Sequence, residues 1–111
     1  MQEVNVGIIG LGNVGMGTLG ILTDNAEQIA LKLGFRLRVK ALCSPSIHAK
    51  KLPASLNSVL QTPDWQEVVQ HPEVDIVAEL VGGTGVAREI IDAAIRNSKS
   101  VVTANKELMA L

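Results

Sequence analysis

Apolar and polar positions along the chain follow two periods in turn, and these predict alternating strands and helices. Residues 3–9 are largely apolar and β-branched, which is typical of a strand buried on both faces. From residue 13 to residue 33 the apolar positions repeat as on one face of a single long helix. These positions are Leu22, Ala26, Ile29 and Leu33. Gly34 follows as the residue that ends this helix.

The middle of the chain has a weaker pattern. Residues 35–43 alternate between apolar and basic side chains and then become fully apolar, which predicts a second strand that ends before Pro45. Segment 44–62 contains four Ser, two Pro and one Asn, so we expect a long connection with short helical turns at residues 49–52 and 56–60. Thr62 as N-cap, Pro63 at the first helical position and Asp64 in the first turn predict the start of a helix.

The last third returns to regular periods. Residues 74–81 form an apolar run that predicts a buried strand, and residues 100–103 predict a short one. Between them, Thr84 has the position of an N-cap for a helix that reaches about Arg96. Its predicted inward residues are Val86, Ile90, Ala93, Ala94 and Ile95. Asn105 and Lys106 open a final predicted helix.

A glycine-rich turn separates the first strand from the first helix. The sequence Gly10-Leu11-Gly12-Asn13-Val14-Gly15 has the Gly-x-Gly-x-x-Gly spacing, and its place between strand and helix indicates a dinucleotide pyrophosphate site. Gly10 allows the tight turn, Gly12 lets phosphates approach the backbone, and Gly15 lets the helix pack closely. The alternating elements then predict one α/β domain over residues 1–111. Its fold class is a doubly wound parallel sheet in three α/β/α layers, a Rossmann-like dinucleotide-binding domain.

Three strand ends carry unusual residues: Gly10–Gly15, Glu79–Thr84 and Thr103–Lys106. Because ligands lie beyond the carboxyl ends of such strands, we expect these segments to converge on one cofactor site. Gly82 and Gly83 either form a plain turn from strand to helix or keep side chains away from the ribose or nicotinamide. Glu79, a carboxylate in an apolar strand, is interpreted as a structural acceptor for backbone N–H groups.

Lys106 and Ser44 suggest the chemistry of that site. A lysine in the first turn of a helix opposes the helix dipole, so Lys106 is a candidate for binding an anion or donating a proton near a carbonyl oxygen. An NAD site places an acid at the end of the second strand, where this chain has Ser44. With Lys50 and Lys51 nearby, this favours the 2′-phosphate of NADP(H) over NAD(H).

Composition excludes several other classes of function. The net charge is −1 and basic residues are scattered, so we expect no nucleic-acid or membrane partner. No apolar run approaches the roughly 18 residues of a membrane-spanning helix, and a cytoplasmic protein is the expectation. The single Cys43 is interpreted as a small apolar core residue. His48 and His71 lack a metal-binding spacing, so no metal site is expected.

Three segments together resemble homoserine dehydrogenase. They are Gly10–Gly17, the Glu-Leu-Val-Gly-Gly run from Glu79 to Gly83, and the Val-Val-Thr-Ala-Asn-Lys-Glu-Leu-Met-Ala run from Val101 to Ala110. The resemblance covers nearly the whole chain and is most specific around Thr-Ala-Asn-Lys. It implies an NAD(P)-dependent oxidoreductase acting on a CH–OH group, which interconverts homoserine and aspartate 4-semialdehyde during threonine and methionine biosynthesis.

The resemblance also implies roles for single residues. Lys106 matches the family's lysine at the junction of cofactor and substrate, while Thr103, Ala104 and the turn from Gly82 to Thr84 would line the nicotinamide half. Family members continue into a substrate and dimerisation domain. We therefore expect a truncated cofactor domain, inactive alone, from an enzyme that is a homo-oligomer when intact.

Two alternatives stay open. One is a free-standing dinucleotide-sensing module without catalysis, which would have no need for an ammonium group such as that of Lys106. The other is a related dehydrogenase, such as one acting on aspartate, whose match at Thr103–Lys106 is poorer.

Overall fold

The structure, a computed structural model, describes residues 2–81 and 85–104. Five parallel strands form one sheet in the order β3-β2-β1-β4-β5, with helices packed on both faces. The strands are β1 (Glu3–Ile9), β2 (Arg36–Cys43), β3 (Leu60–Thr62), β4 (Ile76–Glu79) and β5 (Ser100–Thr103). The helices are α1 (Asn13–Asp24), α2 (Ala26–Leu33), α3 (Trp65–Val69) and α4 (Gly85–Arg96). The predicted fold class is confirmed.

Adjacent residues of the central strands belong to two different cores. Ile8 packs with Leu19 of α1, whereas Ile9 packs with Val68 of α3 and Ile90 of α4. Successive side chains of a strand point to opposite faces, so a strand buried on both faces needs an apolar residue at every position. The continuous apolar runs of β1, β2 and β4 have this cause.

The single long helix predicted over residues 13–33 is wrong. The chain breaks at Asn25, whose φ of −115° and ψ of 25° lie outside the helical region, and α1 and α2 are separate helices. Nearby, the Thr23 hydroxyl donates to the carbonyl oxygen of Leu19 at 3.0 Å, a bond that bends helices. Gly34 ends α2 with a φ of +80°, as predicted.

Segment 44–62 contains elements at other positions than predicted. Two short 3-10 turns occupy Ile47–Ala49 and Ala54–Leu56, and the edge strand β3 was not predicted. Thr62 is the last residue of β3 and not a helix cap, because its carbonyl oxygen accepts the Ser44 N–H at 3.2 Å. Asp64 is the N-cap of α3, and its carboxylate accepts the Gln66 N–H at 3.0 Å.

The later elements agree better with the sequence. The strand predicted over residues 74–81 is present as β4, which is shorter than predicted. The predicted β5 and the predicted end of α4 are confirmed. The inward positions of Ile90, Ala93 and Ala94 are also confirmed, but Val86 and Ile95 are exposed and Ala87 is buried instead. The helix predicted from Asn105 and the N-cap predicted at Thr84 lie outside the described residues.

Candidate functional site

The five strands end in a single row across the sheet. Pairing in the sheet aligns Ile9 with Cys43 on one side and with Glu79 on the other. It also aligns Cys43 with Thr62 and Glu79 with Thr103. Segments that follow these residues therefore leave the sheet at one edge, which is where ligands bind in open α/β sheets.

The glycine turn crosses the middle of this edge. Gly10 has a φ of +102°, which favours glycine, and a Cβ there would lie 2.8 Å from the carbonyl carbon of Leu80. A Cβ on Gly15 would overlap the carbonyl oxygen of Gly10, so only glycine lets α1 begin this close to the turn. At Gly12, in contrast, a Cβ would meet no atom within 4 Å. Gly12 therefore faces open space at the start of α1.

The start of α1 suits an anion. Gly12 is its N-cap, no described side chain caps the helix, and its first turn has no acidic residue. The backbone N–H groups of a first helical turn need acceptors from outside the helix, and the helix dipole favours a negative charge there. Asn13 and Val14, both exposed, begin this turn. These features fit a bound pyrophosphate.

A cleft of about 330 Å³ opens beside this helix start. One wall is formed by Gly10–Gly12, the second by Ser44–Ser46 with Lys50, and the third by Leu80 and Val81. The sequence placed Ser44 and the segment Glu79–Thr84 at the site, but it did not single out Leu80 and Val81 within that segment as lining residues. Their position directly after the buried strand β4 is the signal that could have identified them.

Ser44 is buried, and its hydroxyl oxygen lies 3.3 Å from the hydroxyl oxygen of Ser46. It also accepts the Ser46 N–H at 3.3 Å. The cleft wall next to the second strand therefore presents two hydroxyl groups and the Lys50 side chain. None of the described residues that line the cleft carries a carboxylate.

Cys43, the residue before Ser44, is 3% exposed and packs in the core. Burial raises the pKa of its thiol to about 11, with smaller contributions from the Asp64 and Glu67 carboxylates. The thiol is therefore protonated at neutral pH and packs as an apolar group, as the sequence indicated.

The structure brings Thr103 and Ala104 to the same edge. The Thr103 hydroxyl donates to the Glu79 carboxylate at 2.6 Å, and the Ala104 N–H donates to the Glu79 carbonyl oxygen at 3.4 Å. The remaining predicted site residues, Gly82, Gly83, Thr84 and Lys106, lie outside the described residues. No helix in the described part of the chain is long and apolar enough to cross a membrane.

Relatives of known family share this sequence and architecture. The family model for the NAD-binding domain of homoserine dehydrogenase matches residues 10–111. The homoserine dehydrogenase of Neisseria gonorrhoeae is 44% identical over 99% of this chain and 25% of its own length. That of Pseudomonas aeruginosa is 41% identical over the whole of this chain and 25% of its own length.

Solved structures agree with these relatives. The crystal structure of a Thiobacillus denitrificans homoserine dehydrogenase superposes with a TM-score of 0.86 at 43% identity, over 99% of this chain and 25% of that one. The Staphylococcus aureus enzyme superposes with a TM-score of 0.82 at 31% identity, over 96% of this chain and 27% of that one. The chain thus spans about a quarter of the length of these relatives. It belongs to the homoserine dehydrogenase family and matches the family's NAD-binding domain, whose cofactor is a nicotinamide dinucleotide.

Proposed function

We propose that this chain is the cofactor-binding part of a cytoplasmic homoserine dehydrogenase of the route to threonine and methionine. When bound, the nicotinamide dinucleotide supplies the hydride donor or acceptor for the interconversion of aspartate 4-semialdehyde and homoserine. The observation that carries the proposal is the start of α1. Gly10 and Gly15 stand where a Cβ would collide with backbone atoms, no described side chain caps the helix, and Gly12 lines the cleft. The family match supports the substrate.

Each predicted site residue has a role in this proposal. The backbone N–H groups at the start of α1, from Gly12 to Val14, bind the pyrophosphate, and Gly10 and Gly15 hold the turn in the shape that exposes them. Thr103, Ala104 and the turn from Gly82 to Thr84 line the nicotinamide half. Lys106 contacts the nicotinamide end and orients the reactants, as its match to the family's lysine implies.

The cofactor we propose is NADP(H). Asp or Glu at the end of the second strand would accept a hydrogen bond from a ribose 2′-hydroxyl and repel a 2′-phosphate. The described residues that line the cleft instead include Ser44, Ser46 and Lys50, whose side chains carry two hydroxyls and an ammonium group. Hydroxyl donors and a cation are the groups that bind a phosphate dianion.

Calorimetric titration of NADPH and NADH, separately, into the purified 111-residue chain tests both proposals. We expect NADPH to bind more tightly than NADH. Equal or tighter binding of NADH would contradict the preference for NADP(H) while leaving the dinucleotide site in place. If circular dichroism shows a folded chain that binds neither cofactor, the proposed cofactor role is wrong.

We further propose that the chain alone oxidises little or no homoserine. Hydride transfer requires the substrate to be held in reactive geometry against the cofactor, and none of the proposed site residues recognises homoserine. The substrate pocket and the homo-oligomer contacts would then belong to the regions present in the longer relatives. Mixing the chain with homoserine and NADP⁺ and monitoring absorbance at the NADPH band tests this, and sustained turnover would contradict it.

A further inference from the structure

Glu79 is a fully buried carboxylate in the row of strand ends. Its Oε2 accepts the Val81 N–H at 2.6 Å, and its Oε1 accepts the Thr103 hydroxyl at 2.6 Å. Both oxygens of the side chain thus accept a short hydrogen bond from a described donor. Burying a carboxylate is costly without such donors, so these two bonds keep the side chain in this position.

The two bonds hold two separate segments of the site. Leu80 and Val81 form one wall of the cleft, and the peptide that joins them lies against Gly10, where a Cβ would come within 2.9 Å of the Val81 nitrogen. Thr103 is the last residue of β5, on the other side of Glu79. The Glu79 side chain therefore connects the Leu80–Val81 wall to the end of β5. Because this wall lies against Gly10, the connection extends to the glycine turn.

Packing alone does not require a carboxylate here. The neighbouring positions Val77 and Ala78 are apolar, and each packs in one of the two cores. An apolar side chain of similar length would fill the same space, but the Val81 N–H and the Thr103 hydroxyl would then lose an acceptor, which costs about 1–3 kcal/mol for a buried donor. Glu79 therefore joins two donors and does not merely fill space, and a polar residue that breaks an apolar pattern at a strand end is expected mainly at functional sites.

We propose that Glu79 is a positioning residue of the cofactor site. It fixes the Leu80–Val81 wall and the β5 end relative to the glycine turn, so that both are in place before the dinucleotide binds. This inference rests on the proposed cofactor function. It does not place Glu79 in contact with cofactor or substrate.

Three variants of the 111-residue chain test the proposal by NADPH titration and urea unfolding. Glu79→Met keeps the bulk but removes both acceptors. Glu79→Gln can keep both links, because its carbonyl oxygen can accept the Val81 N–H while its NH₂ group donates to the Thr103 oxygen. Glu89→Gln makes the same chemical change at an exposed position on α4 and serves as the control.

We expect Glu79→Met to lower the urea midpoint, because two donors lose a buried acceptor. In the absence of urea, the folded variant should bind NADPH with a Kd raised by about tenfold or more. The Kd of Glu79→Gln for NADPH should stay within about threefold of the wild-type value, and the Kd of Glu89→Gln should equal the wild-type value. Wild-type affinity in a folded Glu79→Met variant would overturn the inference. A wild-type chain that binds no NADPH would instead overturn the proposed function, so the two failures are distinguishable.

Thr103→Val provides a second test if Glu79→Met does not fold, because it removes the hydroxyl that donates to Glu79 Oε1. We expect Thr103→Val to raise the Kd for NADPH, and Glu79→Gln to add little in this background, since the link to β5 is already lost. A wild-type Kd for NADPH in a folded Thr103→Val variant would contradict the proposed link between Glu79 and Thr103.

Discussion

The carbonyl oxygen of Gly10 occupies the space that a Cβ on Gly15 would need. The obstacle is backbone and not the end of a flexible side chain, so neither residue can move away without shifting the turn or the helix. Gly10 and Gly15, the first and third glycines of the motif, are therefore spaced by a close backbone contact between the turn and α1. The contact brings the first turn of α1 to the edge of the sheet.

Gly15→Ala should lower the free energy of unfolding by about 1–3 kcal/mol, because the added methyl group forces the turn and α1 apart. Gly17→Ala is the matched control in the same helix, since a Cβ there meets no atom within 4 Å. The free energy of unfolding of Gly17→Ala should rise by up to about 1 kcal/mol, because Ala has a better helix propensity than Gly. Urea unfolding followed by circular dichroism measures both, and equal stability of the two variants would contradict the contact.

Gly12→Ala should separate binding from folding. A Cβ at this position meets nothing in the structure, so the free energy of unfolding should change by less than about 1 kcal/mol. The same methyl group would stand where we propose that the pyrophosphate approaches, so the Kd for NADPH should rise by about tenfold or more. Unchanged NADPH binding by a folded Gly12→Ala variant would show that the phosphates do not approach the backbone here.

Lys50→Ala should weaken NADPH binding by about fivefold and leave NADH binding unchanged, because only NADPH carries the 2′-phosphate. Lys51→Ala is the matched control: the adjacent lysine is exposed and is not among the residues that line the cleft. Calorimetry at low and moderate salt measures both variants. Equal losses from Lys50→Ala and Lys51→Ala would indicate a general charge effect and not a phosphate contact.

Cys43 should make the chain less stable in alkali. Its pKa is raised to about 11 by burial, so its stabilising contribution is fully present below the thiol's ordinary pKa and is lost as pH rises through that of the folded state. Relative to a Cys43→Ala variant, the free energy of unfolding of wild type should fall by about 2 kcal/mol between pH 8 and pH 11. Parallel pH profiles of the two proteins in urea unfolding would contradict the raised pKa.

Short-range patterns predicted most of the fold. The apolar run of β1, the glycine turn and the start of α1 are encoded by adjacent residues, and each appears where the sequence indicated. The break at Asn25 was missed because apolar positions continue with helical spacing across it. Periodicity shows which face is apolar but not whether the helix is continuous, and here a single residue, Asn25, leaves the helical conformation.

Features that depend on distant pairing were harder to predict. Strand β3 has three residues and no alternation, and it exists because Cys43 and Thr62 pair at the sheet edge. That pairing also makes Thr62 part of the sheet and leaves Asp64 to cap α3. The bond from Thr103 to Glu79 joins side chains 24 positions apart, so no local pattern contains it. The sequence did indicate that Glu79 accepts backbone hydrogen bonds, and the Val81 N–H is such a donor.

No described side chain caps the start of α1, and under the proposed function this would couple the supply of cofactor to the persistence of the folded chain. A ligand that satisfies those amides binds only the native state, so it shifts the unfolding equilibrium by mass action. At a cofactor concentration of about one hundred times its Kd, the native state gains about 2.7 kcal/mol. Under the proposed function, a cell rich in cofactor would hold fewer of these chains in the unfolded, protease-sensitive state than a starved one.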